Sequence, residues 1–68
     1  MSDVEELKTK IKKLSSRAVT QKMNLHDLAE DLPIDWTNIM SVAQQAYDAY
    51  EALEAARKEL KEQEALAS

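Results

Sequence analysis

A single proline, Pro33, divides the chain into two halves that each carry an apolar repeat of helical period. Proline cannot continue a helix, and it biases the residue before it, Leu32, away from helical geometry. The chain contains no glycine, so few of its residues suit the tight turns of a sheet. These features predict one all-α domain over residues 1–68, with helix one at about 3–31, a turn at 32–35 and helix two at about 36–64.

Both halves place apolar residues alternately three and four positions apart, which is typical of a helix packed on another helix. In helix one the repeat comprises Val4, Leu7, Ile11, Leu14, Ala18, Leu25, Leu28 and Leu32. In helix two it comprises Trp36, Ile39, Ala43, Ala46, Tyr50, Leu53, Leu60 and Ala67, with the polar residues Arg57 and Glu64 at its remaining positions. Folding the chain back at Pro33 makes the two repeats face each other and predicts an antiparallel two-helix hairpin.

Polar residues suited to cap a helix stand before each repeat. Ser2 is placed to cap the start of helix one, and Asp35 to cap the start of helix two. Both residue types accept hydrogen bonds from the free backbone N–H groups of a first turn. We therefore expect Asp35 to be the N-cap of the second helix.

A second apolar stripe lies beside the repeat on each helix. It includes Val19, Met23 and His26 on helix one, and Met40, Val42, Tyr47 and Ala49 on helix two. A two-helix hairpin covers only one stripe per helix, and an exposed patch of this size is unfavourable in a monomer. We therefore expect a homodimer, either a four-helix bundle or a staggered rod.

The charge balance and the absence of cysteine limit the function classes. The net charge is −4 and the pI is about 4.8, whereas a nucleic-acid-binding domain is expected to be basic. The lysine run at residues 8–13 is a candidate RNA contact, but glutamates on the facing helix are expected to neutralise it. No apolar run is long enough to cross a membrane. With no cysteine present, a soluble cytoplasmic protein is expected.

His26 is the only histidine, and Glu30 follows it by one helical turn. Side chains at i and i+4 share a helix face, so His26 and Glu30 can both reach one metal ion. Two ligands are too few for a tight site, although a dimer contact would double them. The alternative is a boundary histidine that hydrogen-bonds Glu30 or a backbone carbonyl. We expect no enzyme, because a bare hairpin offers no cleft to shift the pKa of the nearby carboxylates.

Methionine and aromatic residues favour adaptable protein-binding surfaces. Met23, Met40 and Tyr47 are candidates for such a surface. Trp36 and Tyr50 belong to the main repeat, and we expect them to be core residues.

The corner also resembles a known family. The matching residues are Lys-Met-Asn-Leu-His-Asp-Leu-Ala-Glu-Asp-Leu-Pro at 22–33, followed by Trp36, Ile39, Val42, Ala43, Tyr47, Tyr50 and Leu53. The chain resembles, from Val4 to Leu60, a small family of helical-hairpin proteins encoded in nitrogen-fixation gene clusters and described as NifX-associated or Rop-like. It departs from the family pattern at Asp31, where glycine is expected, so the end of helix one is expected to differ.

The resemblance implies a dimerising hairpin found beside nitrogenase-assembly proteins, with a histidine at His26 that binds a divalent metal such as nickel, zinc or iron. The leading hypothesis is a non-catalytic accessory protein of nitrogen fixation, a dimeric adaptor for nitrogenase or its cofactor-assembly proteins. Its partner-binding residues would be Met23, His26, Asp27, Trp36, Met40 and Tyr47. The alternative hypothesis is a small divalent-metal-binding protein that uses His26 and Glu30 at a dimer contact.

Overall fold

The chain forms two long helices that lie side by side. A computed structural model describes the backbone of residues 3–67 and contains no strand in that range. Helix α1 spans Asp3–Asp31 and helix α2 spans Ile39–Ala67, with a 3-10 turn at Trp36–Asn38 before α2. The all-α hairpin predicted from the sequence is confirmed. Helix two begins as this 3-10 turn and ends at Ala67, later than the predicted end at about 64, while Ser2 lies outside the described residues.

The hairpin is a rod. Its principal dimensions are 51 × 15 × 13 Å, and each helix alone accounts for about 43 Å of that length. The radius of gyration is 15.6 Å, whereas a compact domain of this size has about 11 Å. Two helices of this length fit within 51 Å only if the chain reverses between them. The fold therefore buries a single seam between α1 and α2.

The seam is built mainly from alanine on the α2 side. The core cluster contains Ala18, Ala49 and Leu53, with Ile11 and Leu14 packed against it. Of the six buried apolar residues in the described part of the chain, four are alanines; the six are Leu7, Ala18, Ala46, Ala49, Leu53 and Ala56. The seam therefore brings the two helical backbones close together without burying any large aromatic side chain.

The predicted seam on α2 was wrong at two positions. Ala49 and Ala56 face α1, whereas the predicted repeat used Tyr50 and the position of Arg57. Ala49 and Tyr50 lie on either side of the predicted seam, about 100° apart around the axis of α2. A rotation of α2 by part of that angle moves Tyr50 out of the seam and Ala49 into it. Alanine allows the closer approach, while Tyr50, 37% exposed, keeps its hydroxyl near water. Leu32 is also exposed, because α1 ends before it.

The turn is closed by backbone hydrogen bonds and not by a side-chain cap. The N–H of Ile34 donates to the carbonyl of Asp31 at 2.9 Å, and the N–H of Asn38 donates to the carbonyl of Asp35 at 2.9 Å. Asp35 adopts a left-handed conformation with φ of 58°, and its side chain makes no capping hydrogen bond. The prediction of Asp35 as a side-chain N-cap was wrong, because that role requires extended backbone geometry.

Within residues 3–67, neither α-helix combines the length and the apolar character that crossing a membrane requires.

Candidate functional site

His26 lies between two carboxylates on the exposed surface of α1. Its Nδ1 is 3.6 Å from Oδ1 of Asp27, and its Nε2 is 3.4 Å from Oε1 of Glu30. Helical geometry causes both approaches, since Asp27 is adjacent in sequence and Glu30 follows one turn later. All three side chains are more than half exposed, so each contact contributes little to stability.

The ring geometry determines how these groups can bind a metal. The two carboxylates approach opposite nitrogens of the imidazole, so the three side chains do not converge on one point. Among the described residues, no group of three or more histidine or carboxylate side chains is placed to hold an ion. The pair formed by His26 Nε2 and Glu30 has the predicted spacing and supplies two ligands. It is half of the four-ligand set that a zinc ion usually has.

The turn and the start of helix two form an apolar corner, defined here as Ile34, Trp36 and Met40. Trp36 is 63% exposed and Met40 is 80% exposed, and Ile34 is exposed as well. The prediction that Trp36 is a core residue was wrong. The 3-10 turn places Trp36 beyond the end of α1, so α1 offers no surface to cover its ring. Large apolar side chains left in water at one end of a molecule are typical of a protein contact.

A groove follows the seam on one side of the hairpin. We call it the tyrosine groove; it has a volume of about 490 Å³ and is lined by Lys22, Leu25, Ala43, Ala46, Tyr47, Tyr50, Glu51 and Glu54. Leu25 and the two alanines form its floor, since they are the buried or half-buried members. Tyr47 and Tyr50, three residues apart on α2, form one wall. Tyrosine is one of the residue types enriched in protein interfaces.

All six predicted partner residues are exposed, but they belong to three local features. His26 and Asp27 form the ion-pair cluster with Glu30, and Met23 lies one turn before them on α1. Trp36 and Met40 belong to the apolar corner. Tyr47 is seven residues after Met40 on the same face of α2, about 10 Å along the helix axis, and lines the tyrosine groove.

Ile34 and Lys22 were not among the predicted functional residues. Ile34 stands outside both apolar repeats and directly after Pro33. An apolar residue in a turn that no repeat explains is a usable signal for an exposed contact residue. Lys22 is the basic residue of the tyrosine groove, and only the pairing of the two helices shows that it lies opposite Glu51 and Glu54.

Comparison with known proteins places the chain among small helical proteins. A family model described as Rop-like matches residues 2–65. A UPF0437 protein of Azorhizobium caulinodans is 59% identical over 68 residues, covering 100% of this chain and 99% of that protein. A Frankia alni relative, named as a UPF0437 protein in the nifX-nifW intergenic region, is 46% identical over 46 residues, covering 68% of this chain and 56% of that protein.

A solved structure is similar to this chain in both sequence and fold. An NMR structure from the Northeast Structural Genomics Consortium is 51% identical, has a TM-score of 0.83, and covers 90% of this chain and 86% of its own. The family model and the full-length match to the Azorhizobium protein lead to one conclusion. The chain belongs to the Rop-like family of small helical proteins.

Proposed function

We propose that this protein is a non-catalytic accessory protein of nitrogen fixation, a dimeric helical adaptor for nitrogenase or its cofactor-assembly proteins in the cytoplasm. The observation that carries the proposal is the apolar corner, where Ile34, Trp36 and Met40 stand in water at one end of the rod. The name of the Frankia relative, which refers to a nifX-nifW intergenic region, supports the biological setting.

A contact role suits the corner better than catalysis. The carboxylates near His26 lie on an open helix surface, where both are exposed to water. Acid–base catalysis by two carboxylates needs surroundings that differ between them. Trp36 and Met40, four residues apart in the sequence, instead offer a large aromatic ring and a flexible thioether. Such residues supply most of the binding free energy when a partner covers them. The adjacent His26 cluster adds polar groups at the rim.

The adaptor role is tested by affinity capture from nitrogen-fixing cells with the tagged full chain. We expect nitrogenase or a nitrogenase-assembly protein, identified by mass spectrometry, to be retained by the wild type. Trp36→Ala is expected to reduce retention at least about tenfold, since removing a hot-spot side chain costs about 2 kcal/mol or more. The identified protein is then purified and titrated against both forms of the chain.

Leu66→Ala is the matched control. Leu66 is 81% exposed and apolar, but it lies near the far end of α2 from the corner. Retention is expected to survive this change. Retention of no nitrogen-fixation protein by the wild type, or equal loss with both variants, would contradict the adaptor role at the corner.

A second candidate function is divalent-metal binding, favoured by the 3.4 Å approach of His26 Nε2 to Glu30. One chain supplies two ligands, so this function requires a second pair from another copy or from water. Calorimetric titration with Ni²⁺ and Zn²⁺ is expected to give one ion per two chains, with binding lost in His26→Ala. Glu59→Gln, which removes a carboxylate near the end of α2 far from His26, should leave the affinity unchanged. Weak binding at many sites, or binding that survives His26→Ala, would exclude this function.

A further inference from the structure

The isolated chain exposes more surface than its mass accounts for. Its accessible surface is 5426 Å², whereas a compact monomer of 7.7 kDa is expected to expose about 4,300 Å². The difference, about 1,100 Å², exceeds the roughly 800 Å² that each partner contributes to a standard interface. The buried seam is also thin, because four of its six described residues are alanines. A partner that covers a long face would supply the missing burial.

The exposed apolar surface along the rod lies mainly on one face. Beside the tyrosine groove is a second groove of about 550 Å³, lined by Ile11, Lys12, Ser15, Ser16, Val19, Thr20 and Arg57. Ser15 is seven residues before Lys22, and Arg57 is seven residues after Tyr50, so both grooves open on the same face. We call this the tyrosine face. Val19, Met23, Tyr47 and Tyr50 are its exposed large apolar residues, and Met40, seven residues before Tyr47, marks where this face meets the apolar corner.

The opposite face is mainly polar. Its groove near the chain ends is lined by Asp3, Glu6, Leu7, Lys10, Glu59 and Gln63. Steps of seven residues from Lys10 and Glu59 place the following exposed residues on this face: Arg17, Asn24, Gln45, Ala52 and Leu66. Leu66, near the end of α2, is the one large apolar residue among these five. The uncovered area that favours burial is therefore mainly on the tyrosine face.

The charges of the tyrosine face suit a second copy of the same chain. At the tyrosine groove its α1 edge carries Lys22 and its α2 edge carries Glu51 and Glu54, whereas at the second groove Lys12 and Arg57 are both basic. The difference between the helices holds along the part nearest the turn: α1 has no acidic residue between Leu7 and His26, and α2 has no basic residue between Ile39 and Ala56. A twofold rotation that lays α1 of one copy along α2 of the other brings Lys22 to the acidic edge that contains Glu51 and Glu54.

We infer that two copies pack with their tyrosine faces together, burying Tyr47, Tyr50 and Val19 and leaving Ile34 and Trp36 of the apolar corner for another protein. This inference rests on the dimer of the proposed function and assigns its interface. The second copy is the occupant because the hairpin buries too little apolar area to be stable alone. A partner that stabilises it must be present whenever the chain is, and another copy meets that condition. Because the axis is twofold, each contact between the basic edge of one copy and the acidic edge of the other forms twice.

The assignment is tested by sedimentation equilibrium on the purified full chain. Tyr47→Lys and Gln45→Lys add the same charge at exposed positions of the same helix, one on each face. We expect the wild type and Gln45→Lys to have twice the chain mass of 7.7 kDa, and Tyr47→Lys to self-associate at least about tenfold more weakly. Circular dichroism at high concentration verifies that both variants remain helical.

A labelling experiment gives a second measurement that does not depend on a destabilising change. The chain has no cysteine, so Ala43→Cys on the groove floor and Ala52→Cys on the opposite face are each a unique thiol. Maleimide labelling of position 43 is expected to slow as protein concentration rises, while labelling of position 52 stays constant.

Three results would overturn the inference: a wild type that is monomeric at about 100 μM, dissociation by Gln45→Lys instead of Tyr47→Lys, or protection of position 52 instead of 43. The capture experiment remains separate, because Trp36→Ala is expected to stay dimeric. A monomeric wild type that still retains a nitrogen-fixation protein would overturn this interface while leaving the adaptor role in place.

Discussion

At the scale of single residues, Asp35 and His26 show how position decides a role that residue type only suggests. Asp35 is a residue type that caps helices, but at φ of 58° it supports the turn through its backbone carbonyl. His26 is a residue type that binds metals, and α1 places it between two exposed carboxylates. In both cases the backbone around the residue determines which of its atoms can be used.

Replacing Asp35 by glycine is expected to raise the free energy of unfolding by about 0.5 kcal/mol. The left-handed conformation costs a non-glycine residue about 1–2 kcal/mol, and the greater freedom of glycine in the unfolded chain offsets part of that gain. Urea titration followed by circular dichroism, at one fixed chain concentration, measures the change. Ala29→Gly, at an exposed position inside α1, should have the opposite sign and lower the stability by about 1 kcal/mol. A loss of stability in Asp35→Gly would show that the aspartate side chain stabilises the turn.

At the scale of the helices, the two partners of the seam contribute differently. Helix α1 supplies leucine and isoleucine from its repeat, and α2 supplies alanine at three of its four buried positions. Alanine keeps the helix axes close, and closeness compensates in part for the small area that each alanine buries. The orientation of α2 therefore depends on its smallest side chains, while its tyrosines lie beside the seam.

Enlarging one seam alanine is expected to destabilise the hairpin. Ala49→Leu inserts three carbon atoms where Ala18 and Leu53 already pack, and overpacking of this kind costs about 1–3 kcal/mol. Ala52→Leu is the control, because Ala52 is exposed on the opposite face and its change should stay within about 0.5 kcal/mol. Both are measured by urea unfolding at matched chain concentration. Equal effects would mean that Ala49 does not face α1.

At the scale of the whole molecule, a thin rod with a small core is marginal by itself. Its length exposes two faces, and the tyrosine face carries most of the large apolar residues that are exposed along the helices, while Leu66 is on the opposite face. Covering that face gives the molecule a second layer, as helical domains generally require. The apolar corner lies at one end of the rod, so covering the tyrosine face leaves its Ile34 and Trp36 available.

Stability is therefore expected to depend on concentration. For a chain whose folded form is a dimer, each tenfold rise in chain concentration favours folding by about 1.4 kcal/mol of dimer. Thermal unfolding followed by circular dichroism at several concentrations should show a rising midpoint for the wild type. Tyr47→Lys is expected to unfold at a lower temperature, with a midpoint that changes little over the same concentrations. A wild-type midpoint independent of concentration would indicate a stable monomer.

Residue patterns were enough to predict the two helices and the place where the chain reverses. Pro33 has no N–H to donate, the chain has no glycine, and repeats of three and four residues require helical geometry. The spacing of His26 and Glu30 follows from the same local geometry, which is why their proximity was predictable.

The tertiary structure alone decided which side of α2 faces α1 and what remains exposed. Ala49 and Tyr50 are adjacent and both apolar, so the repeat is compatible with either one at the seam. Close packing against Ala18 selected the alanines and turned Tyr47 and Tyr50 outward. The 3-10 turn likewise placed Trp36 outside the core, although its position in the repeat predicted burial. Local periodicity specifies a helix and its apolar side, whereas the rotation of two helices about their axes depends on the fit of both surfaces at once.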